Sequence, residues 1–137
     1  MLRKNSKIEL LKRVPLFAGC SKKDLQRIAT LADELDLREG KELIREGEPG
    51  REFFVLVDGT AAISRNGKVV DRAGPGEFFG EMALVADRPR NATVTATSPV
   101  AVLVITAQSF RRLVEENPLI ALKVMGAVAD RIPASEF

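Results

Sequence analysis

Histidine, tryptophan and tyrosine are absent from this chain, and cysteine occurs once. Each absence closes a class of function. Without His there is no His-ligated zinc, no Ser-His-Asp triad and no Cys-His pair. Cys20 alone forms neither an intrachain disulfide nor a two-thiolate metal site, which suits a reducing, cytoplasmic setting. With Trp and Tyr missing, an aromatic stacking platform for nucleic acid is poorly supplied. The longest clean apolar run, 100–105, falls far short of the roughly 20 residues of a membrane helix. The basic start Met1-Leu2-Arg3-Lys4-Asn5 has no apolar stretch behind it to act as a secretory signal. No membrane insertion is expected. Lys plus Arg number 21 and Asp plus Glu 19, so the net charge of +2 exerts no strong pull on nucleic acid or an anionic membrane. No acid–base or nucleophile constellation is present either, so an enzyme is not expected.

What remains is enough for one domain: 137 residues, 45% of them hydrophobic, with 29% charged residues to cover the surface. Eight of the ten glycines lie between Gly40 and Gly80. They divide the middle of the chain into short segments rich in Val, Ile, Phe and Thr, the pattern of a strand meander closing as a sandwich or barrel. Strands are expected over 33–39, 42–45, 53–57, 61–64, 69–70, 92–97 and 100–105, seven or eight in all. Asp58-Gly59 and Asn66-Gly67 both read as hairpin turns that need positive φ. Helices flank this block. Ser21 with Asp24 is a capping pair for a helix carrying Leu25, Ile28 and Ala29. A shorter helix with Ile8 and Leu11 precedes Val14-Pro15. Downstream, Thr106 caps a helix carrying Phe110 and Leu113. Asn117-Pro118 opens another, carrying Leu119, Leu122, Met125 and Ala129, whose apolar residues are expected to pack on the strands.

The stretch 78–94 carries the chemistry. Gly80 is expected to open a short helical segment between two strands, whose free N–H groups favour an anion. Arg90, just after Pro89, stands where the chain re-enters the sheet, and an Arg on a rigid strand binds phosphate through parallel N–H bonds. Glu81 is an acceptor for a sugar hydroxyl. An anion cradle, an Arg and an acceptor together describe a phosphorylated ribose. Glu81 and Arg90 paired only with each other would instead be a surface ion pair worth about 0–1 kcal/mol.

The run Phe79-Gly80-Glu81-Met82-Ala83-Leu84 followed by Pro89-Arg90-Asn91-Ala92-Thr93-Val94 resembles the phosphate-binding cassette of cyclic nucleotide-binding domains, of the catabolite-activator and protein kinase A regulatory-subunit type. Ile44-Arg45-Glu46-Gly47-Glu48, Phe53-Phe54-Val55-Leu56-Val57-Asp58-Gly59 and Gly76 extend the match over nearly the whole chain. The resemblance implies a mainly β fold with flanking helices: an antiparallel jelly-roll barrel over 33–106, N-terminal helices over 1–32 and C-terminal hinge or lid helices over 107–132. It implies a cyclic nucleotide as ligand, cAMP ahead of cGMP, and no cofactor or metal. Arg90 is to neutralise the cyclic phosphate, with backbone N–H groups near Ala83 and Ala92. Gly80 and Glu81 are to hold the ribose, and Phe79 and Met82 to stand in the pocket wall or core. Asn91 occupies a position where the family often has Ala, Ser or Thr, and it bears on purine preference. Arg88, in the same loop, has no ligand role by the motif.

Such domains are sensors joined to an output. The chain carries no recognition helix, so DNA binding by this chain alone is not expected. It reads as a stand-alone sensor or a fragment of a larger cAMP-responsive regulator, with a scaffold that no longer binds as the remaining alternative. A homodimer or effector contact is expected through the C-terminal helix. In the family that helix moves as a lid and an apolar residue covers the base; here the only aromatic late in the chain is Phe137.

Overall fold

The computed structural model describes residues 4–130; Phe137 lies outside them. Eight strands form two four-stranded antiparallel sheets. One has the order β1 (Asp33–Leu37), β8 (Val100–Thr106), β3 (Glu52–Asp58), β6 (Phe78–Phe79). The other has β2 (Glu42–Ile44), β7 (Thr93–Ala96), β4 (Ala61–Arg65), β5 (Lys68–Ala73). No strand pairing joins the two sheets into a closed barrel, but the class is the mainly β, helix-flanked architecture expected. Helices α1 (Lys4–Lys12) and α2 (Lys22–Leu31) precede the strands; α3 (Ala107–Glu116) and α4 (Pro118–Asp130) follow them.

The two hairpin signals part company. Asn66 and Gly67 both take positive φ (51° and 79°), and β4 pairs with β5 across them as the sequence predicts. Asp58-Gly59 does not close a hairpin, because β3 and β4 lie in different sheets. Gly59 (φ 89°) instead turns a corner between sheets, so close to Pro99 that a Cβ would stand 2.3 Å from the Pro99 carbonyl oxygen. The sequence signal was the need for Gly, and the cause is close approach rather than a two-residue turn.

Two cores result. Phe54, Leu56, Ala61, Phe79, Val94 and Val102 fill the space between the sheets. The other face of β3 and β8, through Phe53, Val55, Leu103 and Ile105, packs on the helices through Leu11, Phe17, Ile28, Phe110 and Ile120. Strand alternation sends successive side chains of β3 and β8 into opposite cores, which is why both read as continuous apolar runs. Helix α2 starts as expected, with Ser21 Oγ accepting from Asp24 N–H and Asp24 Oδ2 from Ser21 N–H. Thr106 caps α3 by accepting from Ser109 N–H.

Helix α4 departs from expectation. Its buried residues are Ile120 and Val124, while Leu119, Leu122 and Met125 are 69%, 64% and 65% exposed. The interior side of α4 is turned to the N-terminal helices, where Lys123 Nζ donates to Asp24 Oδ2 (2.5 Å). The Asn117 side chain serves the end of α3 rather than the start of α4. Its Oδ1 accepts from Arg27 and its Nδ2 donates to the Leu113 carbonyl. Cys20 is partly buried beside this junction; burial, and then the Asp24 charge, raise its thiol pKa, leaving it a weak nucleophile.

Lys123 and the Ser21 N–H hold the Asp24 carboxyl below its ordinary value, against the opposing effect of burial. A depressed carboxyl contributes stability that is present above its unfolded pKa of about 3.9 and is lost as pH falls through the lower folded value. Thermal melts from pH 6 to 2.5 should therefore show the wild type losing more stability on acidification than Asp24→Asn. Parallel curves would mean the pair is not coupled to folding.

Candidate functional site

The segment from β6 to β7 leaves one sheet and enters the other, and a cavity of about 700 Å³ lies where it crosses. Gly80 ends β6 with φ 75°, a left-handed conformation natural to glycine, and starts a single 3-10 turn over Glu81–Leu84. Ala83 N–H donates back to the Gly80 carbonyl (3.0 Å), so this amide is engaged within the turn. The expected helical segment is thus one short turn, with little dipole to offer an anion. The positive charge falls to Arg90.

Arg90 is held at both ends. Its backbone N–H donates to the Glu48 carbonyl and its carbonyl accepts from Gly47 N–H, both at 2.8 Å. Pro49 and Pro89 bridge beside them. At the far end, Arg90 Nη2 donates to the Glu52 carbonyl at 2.5 Å. The guanidinium lies against two glycines: a Cβ on Gly50 would stand 2.9 Å from Nε, and one on Gly80 2.2 Å from Nη1. Burial pushes the guanidinium below its ordinary pKa and the Glu52 carboxylate opposes that, but an Arg remains charged at any physiological pH. Glu81 is buried, at 7% exposure, on the turn that follows Gly80, and lines the same cavity as Arg90.

All eight residues singled out from sequence line this one cavity: Phe79, Gly80, Glu81, Met82 and Ala83 from β6 and the turn, Arg90, Asn91 and Ala92 from the approach to β7. Phe79 is buried in the inter-sheet core, Met82 is 37% exposed and Asn91 is exposed. Sequence reasoning missed the opposite wall. Ile44 on β2, Ile63 and Arg65 on β4, and Val94 on β7 face the same space. Gly50 and Arg88, neither given a role by the motif, also stand on the lining. No residue of α4 contributes to the lining.

The comparisons with known proteins point to one family. The family model described as "Cyclic nucleotide-binding domain" matches residues 34–117. The chain belongs to the cyclic nucleotide-binding domain family. It is 36% identical over 106 residues, 77% of its length, to a cAMP-dependent protein kinase regulatory subunit of Eremothecium gossypii, and spans 23% of that longer protein. Among solved structures it resembles the N-terminal domain of a transcriptional regulator from Streptomyces coelicolor A3(2), with 29% identity, a TM-score of 0.81, and 89% and 91% of the two chains covered. It also resembles cAMP-bound PfPKA-R, with 28% identity, a TM-score of 0.68, and 92% of this chain and 45% of that one covered.

Within this cyclic nucleotide-binding fold, Gly50 is a positioning residue for Arg90. Its φ is not positive, so Gly50→Ala adds a methyl group without backbone strain, and that methyl displaces the guanidinium. The variant should keep its melting temperature within a few degrees and lose at least about ten-fold in nucleotide affinity, a loss of roughly 1.4 kcal/mol. Unchanged affinity by titration calorimetry would show that the seat of Arg90 is not rigid.

Proposed function

We propose that the cavity binds a 3′,5′-cyclic nucleotide, cAMP in preference to cGMP, and that the chain is the sensor module of a regulatory protein rather than an enzyme. The observation that carries this reading is the seat of Arg90. A half-buried guanidinium has one carbonyl partner and, among the described residues, no carboxylate within ion-pair distance. Its remaining donors meet the cavity, and a cyclic phosphate monoanion supplies the missing charge and acceptors. Glu81, on the adjoining turn, is suited to accept from the ribose 2′-hydroxyl. The preference for cAMP draws on the kinase regulatory relative and the cAMP-bound neighbour. Asn91 lies on the exposed rim, where it bears on purine choice.

The unit is taken to run from the N-terminal helices to α4, because one helical core joins Leu11, Leu25, Phe110 and Ile120 to the sheet. Output through the C-terminal helices is supported by Leu84. This residue of the cassette turn is buried in the core that also holds Phe110, Leu113 and Ile120. A ligand that shifts the turn therefore acts on the seat of α3. The uncharged stripe of Leu119, Leu122 and Met125 is assigned to contact with a second copy of the chain, since a neutral apolar face is self-complementary. Among the described residues no helix is long and apolar enough to cross a membrane. A cytoplasmic setting accords with the lone, unbridged Cys20.

Titration calorimetry with cAMP and cGMP tests the ligand directly; no heat and no thermal shift at millimolar concentrations of either would leave only a scaffold. Arg90→Ala should lose roughly 2–5 kcal/mol of binding, about thirty- to several-thousand-fold, with the fold intact. Glu81→Ala should lose less, roughly 1.5–3 kcal/mol for a charged hydrogen bond. Arg112→Ala, an exposed α3 residue outside the cavity, should bind as the wild type does, and an equal loss there would mean diffuse attraction instead of phosphate capture. Incubated with cAMP and followed by chromatography, the protein should leave the nucleotide intact. Product formed in proportion to protein would overturn the sensor reading.

A further inference from the structure

The wall opposite the cassette is apolar except at one position. Ile63 and Arg65 alternate along β4 onto the cavity, beside Ile44 and Val94 of the neighbouring strands. Arg65 is the last residue of β4, next to the Asn66-Gly67 turn, and stands exposed at the mouth of the cavity. Its side chain has no hydrogen bond or ion pair with any other described residue. An arginine at a strand end is ordinarily solvated or paired with an acid across the hairpin. Its Cα partner on β5 is Lys68, another cation, so the hairpin gives it no such partner.

With phosphate at Arg90 and ribose at Glu81, the base points away from the cassette, toward this wall. Ile63 and Val94 offer it one apolar surface. Among the described residues the other face of the purine has no helical cover, because α4 contributes nothing to the lining, and Phe79 is buried in the inter-sheet core on the cassette side. We propose that Arg65 covers the base, laying its planar guanidinium on the purine. The inference rests on the cyclic-nucleotide reading above. Arg suits the task because its guanidinium is planar and weakly hydrated, and it stacks on π-faces. The alternative uses of the same side chain, long-range attraction of the phosphate or hydrogen bonding to the base edge, predict different variants.

Calorimetry on four proteins separates them. Arg65→Ala should lose about three- to thirty-fold in affinity for cAMP and by a similar factor for cGMP, as expected for lost stacking. Arg65→Lys, which keeps the charge and loses the plane, should fall with Arg65→Ala. Arg65→Tyr, which keeps a plane and loses the charge, should stay within about three-fold of the wild type. Full affinity in Arg65→Lys would overturn stacking in favour of simple attraction. A loss confined to cGMP would overturn it in favour of reading the guanine O6 and N7 acceptors. Wild type that binds while Arg65→Ala binds equally well refutes this inference alone; wild type that binds neither nucleotide removes the cyclic-nucleotide reading and this one with it.

Discussion

A guanidinium taken partly out of water without a counter-ion is the constraint on which the rest of the site depends. Desolvation disfavours the charged form, yet Arg cannot discharge near neutrality, so the protein must hold the charge by geometry. The geometry comes from the loop between β2 and β3. Gly47 and Glu48 fix the Arg90 backbone, Glu52 fixes one end of its fork, and Gly50 supplies a flat surface for its stem. A residue some forty positions away in sequence is thereby pinned by four residues within a six-residue stretch. The charge is thereby held in one place on the lining of the cavity.

The sheets make that pinning possible. β3 belongs to one sheet and β2 to the other, so the loop joining them spans the gap between sheets. The 78–94 segment spans the same gap in the opposite sense, from β6 beside β3 to β7 beside β2. Two crossings side by side leave a hollow whose floor is the inter-sheet core and whose rim is backbone. Polar backbone groups at such a crossing have no ladder to join, and the Gly47, Glu48 and Arg90 hydrogen bonds satisfy them locally.

How far this was legible in the sequence follows from what each signal encodes. Strand positions, the Ser21 and Thr106 caps and the Asn66-Gly67 turn were readable because each is a local preference of a few residues. The cassette was readable because its residues are close in sequence. Asp58-Gly59 misled because a glycine demanded by Pro99, forty residues on, looks the same as one demanded by a turn. The apolar residues of α4 misled in a related way. Leu119, Leu122 and Met125 have the right spacing for a buried face, but the helix is rotated by the Lys123–Asp24 pair and by Ile120 and Val124, which claim the interior. Gly50 and Arg65 carry no local mark of their role. Each matters only through a partner or a space that the folded chain creates.

The two cores give the cassette its mechanical character. Phe79, at its start, is anchored between the sheets, and Leu84, five residues later, is anchored among the helices. Between these anchors lie Gly80 and the 3-10 turn carrying Glu81 and Met82, with Arg90 pressed against Gly80. The turn is thus tied to a packed sheet core at one end and a packed helical core at the other. A close-packed core does not yield continuously, so both anchors restrain the turn between them. The sheet core is bound into two hydrogen-bonded ladders. The helical core is held to α4 by Ile120, Val124 and two polar links, Lys123–Asp24 and Arg27–Asn117. The helical side thus rests on side-chain packing and a few polar links, where the sheet side has continuous backbone ladders.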